Sequence, residues 1–160
     1  MSDDQRSTYC LFDIILDETT IRRNTPDINH EREVAIFDLL EDNYFELRHR
    51  DEGEDSIPGP YILTLSLEDN RLVFHITDQD EGHLATHMLS LTPFKKTIKD
   101  YFLICESYFE AIKTATPQRI EAIDMGRRGL HNEGSELLME RLTDKIILDK
   151  DTSRRLFTLI

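Results

Sequence analysis

The sequence predicts an α+β fold: a small antiparallel β-sheet, built as a meander and covered by helices, including a long C-terminal helical hairpin. Three observations predict it. Between Tyr61 and Leu91, apolar and polar residues alternate with a period of two, interrupted by two turn sites. Thr-Pro occurs at 25–26, 92–93 and 116–117, each time ahead of residues repeating at helical spacing; Thr suits the cap and Pro the first helical position. The stripe that begins at Phe94 keeps helical spacing for about five turns.

Taken in order, residues 1–8 read as a flexible tail of a single domain spanning 1–160. Tyr9 to Leu16 (YCLFDIIL) has the β-branched and aromatic content of a strand, interrupted by Asp13. The helix opened by Thr25-Pro26 extends to about Asn43. Its Ile28, Ala35, Ile36, Phe37, Leu39 and Leu40 cover so much circumference that burial on more than one side is expected. Arg32 and Glu33 intrude on that arc and are expected to be paired or to snorkel. Tyr44 to Arg48 reads as a short strand, and residues 49–60 (HRDEGEDSIPGP) as a mobile acidic loop.

A two-residue turn at Asp69-Asn70 would pair Glu68 with Arg71, Leu67 with Leu72, Leu65 with Phe74 and Leu63 with Ile76. Inward residues then meet inward residues, and Asn tolerates the left-handed backbone of such a turn. A second turn near Gln79 to Gly82 returns the chain as Leu84 to Leu91. If Phe74 pairs with Met88, His75 stands opposite His87 on the outer face.

Phe94, Ile98, Tyr101, Phe102, Cys105, Tyr108, Phe109 and Ile112 form one stripe, flanked on one side by Lys95, Lys99, Glu106 and Glu110. At this spacing the stripe reads as core-facing. The helices 93–115 and 117–142 make the hairpin. Lys145 to Leu148 is a last strand. Asp151 is expected to cap an amphipathic segment that carries Arg154-Arg155 and runs to Ile160.

Net charge is −13, and it is unevenly placed. Residues 1–92 hold 7 Lys and Arg against 21 Asp and Glu, while residues 93–160 hold 12 against 11. Such a balance argues against nucleic-acid binding, which wants a basic face. The acidic N-terminal half either keeps the chain soluble or meets a basic protein partner. The nearly neutral C-terminal half and the apolar ending point to a homo-oligomer. No apolar run approaches the roughly 18 residues that span a bilayer, so no membrane role is expected. Two cysteines, Cys10 and Cys105, make a disulfide framework improbable and point to the cytoplasm.

Chemistry concentrates in Ala122 to Glu136, AIDMGRRGLHNEGSE. Wound as one helix at about 100° per residue, Ile120, Ile123, Leu130, Leu137, Leu138 and Leu142 share a face. Asp124, Arg127 and His131 fall inside that same arc. Charged groups are rarely buried unless paired. The three therefore pair in a structural network, line a cleft, or stand where the helix breaks at Gly126, Gly129 or Gly134. In a network, Asp124 or an acid from the N-terminal half serves Arg127. In a cleft, Asp124, Arg127, Arg128, His131, Asn132 and Glu133 make a ligand site. Arg127 or Arg128 would fork onto a carboxylate or phosphate, with His131 as donor or proton carrier.

No catalytic residue stands out. Cys105 lies in an apolar stripe, whereas a nucleophilic thiol needs an electropositive setting. The glycines match no phosphate loop, His75, His83 and His87 show no metal-ligand spacing, and no cofactor is implied. The residues favour a non-catalytic regulatory or protein-interaction module. The alternative is a small-anion-binding protein or enzyme built on Asp124, Arg127 and His131.

The run LSLTPFKKTIKDYFLICESYFEAIKTATPQRIEAIDMGRRGLHNEGSE (Leu89 to Glu136), with GPYILTLSLEDNRLVF and HEREVAIFDLLEDN upstream, resembles a family of short bacterial proteins with an uncharacterised-protein-family label. The resemblance covers nearly the whole chain. It implies a bacterial, cytoplasmic, single-domain protein with no assigned activity, and it supplies no catalytic residues.

Overall fold

A computed structural model describes residues 7–21, 26–48 and 56–160. Residues 1–6 of the expected tail and 49–55 of the expected loop lie outside the described residues. The elements are β1 (Leu11–Leu16), α1 (Pro26–Glu41), β2 (Phe45–Arg48), β3 (Ser56–Ile57), β4 (Tyr61–Glu68), β5 (Arg71–Thr77), β6 (His83–Ser90), α2 (Lys95–Thr114), α3 (Pro117–Leu142), β7 (Ile146–Leu148) and α4 (Lys150–Thr158). The fold is α+β, with the helical hairpin α2–α3 in place. None of the described helices is long and apolar enough to cross a membrane.

The hairpin β4–β5 has the register the sequence predicts, from Glu68 opposite Arg71 to Leu63 opposite Ile76. Asp69 and Asn70 take φ of 50° and 62°, the left-handed pair a type I′ turn requires. Leu65 and Phe74 are cross-strand neighbours and both are buried.

The second hairpin departs from expectation by one residue. Phe74 pairs with His87, and Met88 with Val73. The turn causes the slip. Asp78 Oδ1 accepts from the N–H of Asp80 at 2.9 Å and of Gly82 at 2.8 Å, Glu81 takes φ 67°, and the pairing shifts between Ile76 and Thr77. His87 consequently turns inward and is buried. The expected His75–His87 pair does not form. His75 instead meets His83, ring centroids 5.2 Å apart, and both rings contact the Thr86 hydroxyl.

Two features enlarge the meander. β1 pairs in parallel with β4, giving a four-stranded sheet in the order β1-β4-β5-β6. A parallel neighbour needs a long crossover, which α1 and the segment after it supply. Phe12 is the extra residue of a bulge, since Leu11 pairs with Tyr61 but Asp13 already pairs with Ile62. The buried Asn43 fastens β1 to α1: its Oδ1 accepts from Leu11 N–H at 2.8 Å, and its Nδ2 donates to the carbonyls of Leu11 at 3.2 Å and Leu39 at 2.7 Å.

A second sheet, in the order β3-β2-β7, joins the first through Tyr61. The Tyr61 hydroxyl accepts from Leu47 N–H at 3.2 Å and donates to the Ile57 carbonyl. Ser56–Ile57 is therefore a paired strand within the stretch expected as loop. Phe45, Leu47, Leu63, Phe74 and Ile76 from the sheets, with Leu39, Leu138 and Leu142 from the helices, form the innermost core.

The helices are covered less than their periodicity suggests. On α1, Ile28, Ala35 and Leu39 are buried, but Phe37 is 65% and Leu40 42% exposed. Burial on several sides does not occur, because β1 and α4 cover one flank only. On α2, Cys105 is fully buried, yet Ile98, Tyr101 and Phe102 are half-buried and Ile112 is exposed.

α3 runs unbroken through all three glycines, its N-cap Thr116 accepting from Arg119 N–H at 3.4 Å. Gly134 sets the position of α4. A Cβ there would fall inside the Phe157 ring, so the missing side chain lets that ring seat against α3. Ser153 Oγ donates to the Ser135 carbonyl at 2.7 Å, and Thr152 Oγ1 accepts from Tyr44 N–H at 2.9 Å. The cap of α4 is Asp149, not Asp151: its side chain accepts from Thr152 N–H at 2.9 Å, because the helix begins two residues earlier than expected. Leu156, Phe157 and Leu159 are buried, so the apolar ending belongs to the core.

This geometry separates two glycines. Gly134→Ala should destabilise the fold by about 1–3 kcal/mol through overpacking against Phe157. Gly129→Ala, which meets nothing within 4 Å, should be neutral or stabilising by up to about 1 kcal/mol from helix propensity. Chemical denaturation of the two variants checks the contrast.

Candidate functional site

An open cleft of about 360 Å³ lies where α1, α3 and α4 meet. α3 contributes Arg127, Arg128 and His131, a face fixed by helical spacing of three and four. α4, held by Phe157, contributes Arg154, Arg155 and Thr158. α1 adds Glu31 and Asp38, and Tyr101 of α2 closes one side. The walls thus carry four arginines against two acids, in a chain of net charge −13.

The arginines differ in how they are held. Arg127 is the centre of a network. Its Nη2 and Nε donate to Asp124 Oδ1 at 2.7 and 3.2 Å, and its Nη1 reaches Glu31 Oε1 at 3.1 Å. The guanidinium also lies 4.3 Å from the centroid of the Tyr108 ring. Burial opposes its charge, but Asp124, Tyr101 and Glu31 outweigh that and hold Arg127 above its ordinary range. Arg128, largely exposed, takes the other Asp124 oxygen at 3.0 Å.

Arg154 and Arg155 are held without acids. Arg154 Nη1 donates to Asn132 Oδ1, and Arg155 Nη1 to the Asp42 carbonyl at 3.3 Å. Among the described residues neither forms an ion pair.

His131 sits between the two groups. Its Nε2 lies 2.7 Å from Thr158 Oγ1. That hydroxyl also lies 3.2 Å from the Arg154 carbonyl one turn back on α4. The His131 Nδ1 is buried and without a hydrogen-bond partner among the described residues. The ring packs between Tyr101, 5.5 Å away, and Phe157, 5.4 Å away. Burial, with the charges of Arg154 and Arg127, pushes its pKa down to about 4. The imidazole is neutral at physiological pH.

Of the residues singled out in the sequence, Asp124, Arg127, Arg128 and His131 come together. Asn132 turns to α4, where it orients Arg154. Glu133 is exposed and does not line the cleft. The network and the cleft coexist, with Arg127 belonging to both. Glu31, Tyr101, Arg154, Arg155 and Thr158 escape sequence reasoning. The pair Arg154-Arg155 on an amphipathic end is the one signal that could have found the α4 wall. Among the described residues, no group of three or more His, Cys, Asp and Glu could hold a metal ion.

Comparison with known proteins places the chain. Residues 8–160 match the model of the uncharacterised protein family UPF0262. A UPF0262 protein of Rhizobium etli (strain CIAT 652) is 61% identical over 153 residues, which cover 95% of this chain and 92% of that one. One from Rhizobium meliloti (strain 1021) is 59% identical over 160 residues, covering 100% and 96%. One from Mesorhizobium japonicum is 57% identical over the same lengths and shares. No solved structure matches. The chain belongs to the UPF0262 family of bacterial proteins.

The neutral His131 links stability to pH. Its folded pKa lies below the ordinary value of 6.5, so between those values the unfolded chain binds more protons. Stability must then fall as pH drops from about 6.5 toward 4. After allowance for solvent screening the loss should be about 1–2 kcal/mol. Thermal melts across that range should show a smaller loss for His131→Gln than for the parent chain; equal slopes would contradict the buried neutral imidazole.

Proposed function

We propose that this protein is a non-catalytic binding module that takes a small carboxylate or phosphate in the cleft between α1, α3 and α4. One observation carries the reading. Arg154 faces the cleft beside Arg127, held by a neutral amide and not by an acid. A guanidinium oriented in this way keeps donors available for a bidentate anion. Arg155 adds charge at the rim, and the Arg127 network fixes the opposite wall.

Binding is favoured over catalysis by the state of His131. A general acid or base works best with a pKa near the operating pH and with a reachable nitrogen. Here the pKa is about 4, Nε2 is committed to Thr158, and Nδ1 is buried. The ring positions Thr158, and through it the turn of α4 that carries Arg154. Ligand binding would stiffen the junction of three helices, which a partner protein could read. Cys10 and Cys105 are both free thiols, which supports a cytoplasmic setting.

Two substitutions test the reading with citrate and inorganic phosphate as probes, by calorimetry and thermal shift. The parent chain should bind at least one probe and melt higher in its presence. Arg154→Met should abolish binding with stability nearly unchanged, since no ion pair is broken. Arg127→Met should weaken binding and cost about 2 kcal/mol, less than a fully buried pair because its side chain is 22% exposed. Retention of binding by Arg154→Met, or failure of the parent chain to bind either anion at millimolar concentration, would overturn the proposal.

A further inference from the structure

The stripe on α2 has the spacing of a core face, yet two of its members are incompletely covered, and Leu103 beside them is more exposed still. Ile98 and Phe102 are half-buried and Leu103 is 53% exposed. These side chains form one wall of a groove of about 600 Å³. Ile21, Leu67, Leu91 and Ile160 add to its apolar lining. The volume falls within the roughly 300–1,000 Å³ of small-molecule sites. This groove and the arginine cleft share no lining residue.

The charge of the lining is one-sided. Every ionisable side chain on the groove is a cation, Arg32, Lys95 and Lys99, although acids outnumber bases 32 to 19 in the chain. Lys95 and Lys99 stand one turn apart on the first half of α2, and among the described residues neither forms an ion pair. Glu106 and Glu110 lie farther along the helix and do not line the groove. From Lys95 to Leu103 the helical wall runs about 12 Å. A polar positive end thus leads into an apolar trough.

We infer that this groove binds a medium-chain fatty acid, with its carboxylate on Lys95 and Lys99 and its acyl chain along Ile98, Phe102 and Leu103. The apolar body answers the exposed aliphatic and aromatic wall, and a single negative head answers the lysines. Burial of the chain supplies the affinity, and the lysines supply orientation and preference for the acid. The groove is sized for a small amphiphile; a partner helix would want roughly 800 Å² of surface on each side.

Laurate, below its micellar concentration, is the test ligand, with lauryl alcohol as the uncharged control of equal chain length. Titration calorimetry should show saturable uptake of one laurate per chain. The double variant Lys95→Glu/Lys99→Glu should weaken laurate by about tenfold or more while leaving the alcohol within about twofold. Leu103→Glu, at an exposed position that tolerates charge, should weaken both ligands. Arg154→Met should change neither, which separates this site from the arginine cleft. The inference is overturned if monomeric laurate gives no saturable uptake, if the double lysine variant binds laurate as well as the parent, or if the chain binds phosphatidylglycerol vesicles but not laurate.

Discussion

The Phe157 ring occupies the space that any side chain at position 134 would need. A helix as short as α4 has little stability of its own in water, so its place is set by what it packs against. That contact does most of the setting, with Ser153 bonded to the Ser135 carbonyl on one side and Thr152 to Tyr44 N–H on the other. Once Phe157 is seated, helical spacing leaves no freedom in where Arg154 and Thr158 emerge. They meet Asn132 and His131, which lie three and four residues before Ser135 on α3. A packing contact between a ring and a backbone thereby places the polar groups of the cleft.

Electrostatics then divides the arginines into two kinds. Arg127 has three hydrogen bonds to two carboxylates and a tyrosine ring beneath it, and its charge is balanced where it stands. Arg154 and Arg155 are oriented by an amide and a carbonyl, which direct a guanidinium without neutralising it. The first kind stabilises the junction of α1 and α3. The second leaves positive potential in a concave place on an acidic protein. Burial, with the same charges, holds His131 neutral, so the ring stays hydrogen-bonded to Thr158 and contributes no further positive charge at neutral pH.

What the sequence reveals follows from how local each signal is. The β4–β5 register was legible because the turn chemistry of Asp69-Asn70 and the apolar alternation agree independently. The β5–β6 register was not, since it depends on Asp78 bonding back to the turn and on a one-residue slip, neither of which alternation reports. The pairing of β1 with β4 joins strands separated by the whole of α1, and nothing local encodes it. Periodicity on α3 put Asp124, Arg127 and His131 on one face, and they do share it. The other wall needed α4 in position, and that depends on Gly134, whose helical setting hid its role. On α1 and α2, periodicity marked residues able to be buried, and the supply of partner surface decided otherwise for Phe37, Leu40 and Ile112. The apolar ending proposed as a self-association surface is consumed by the core.

The central claim is that α4 is an integral part of the core through Phe157, and that the cleft exists only while it is docked. Native-state hydrogen exchange on the unmodified chain tests this most directly. The account predicts that the protected amides of residues 153–158 exchange only in the global unfolding event, together with those of Leu138 on α3 and Phe74 on β5. Exchange of the α4 amides through a separate local opening, well below the global unfolding free energy, would show that α4 undocks by itself and would contradict the account.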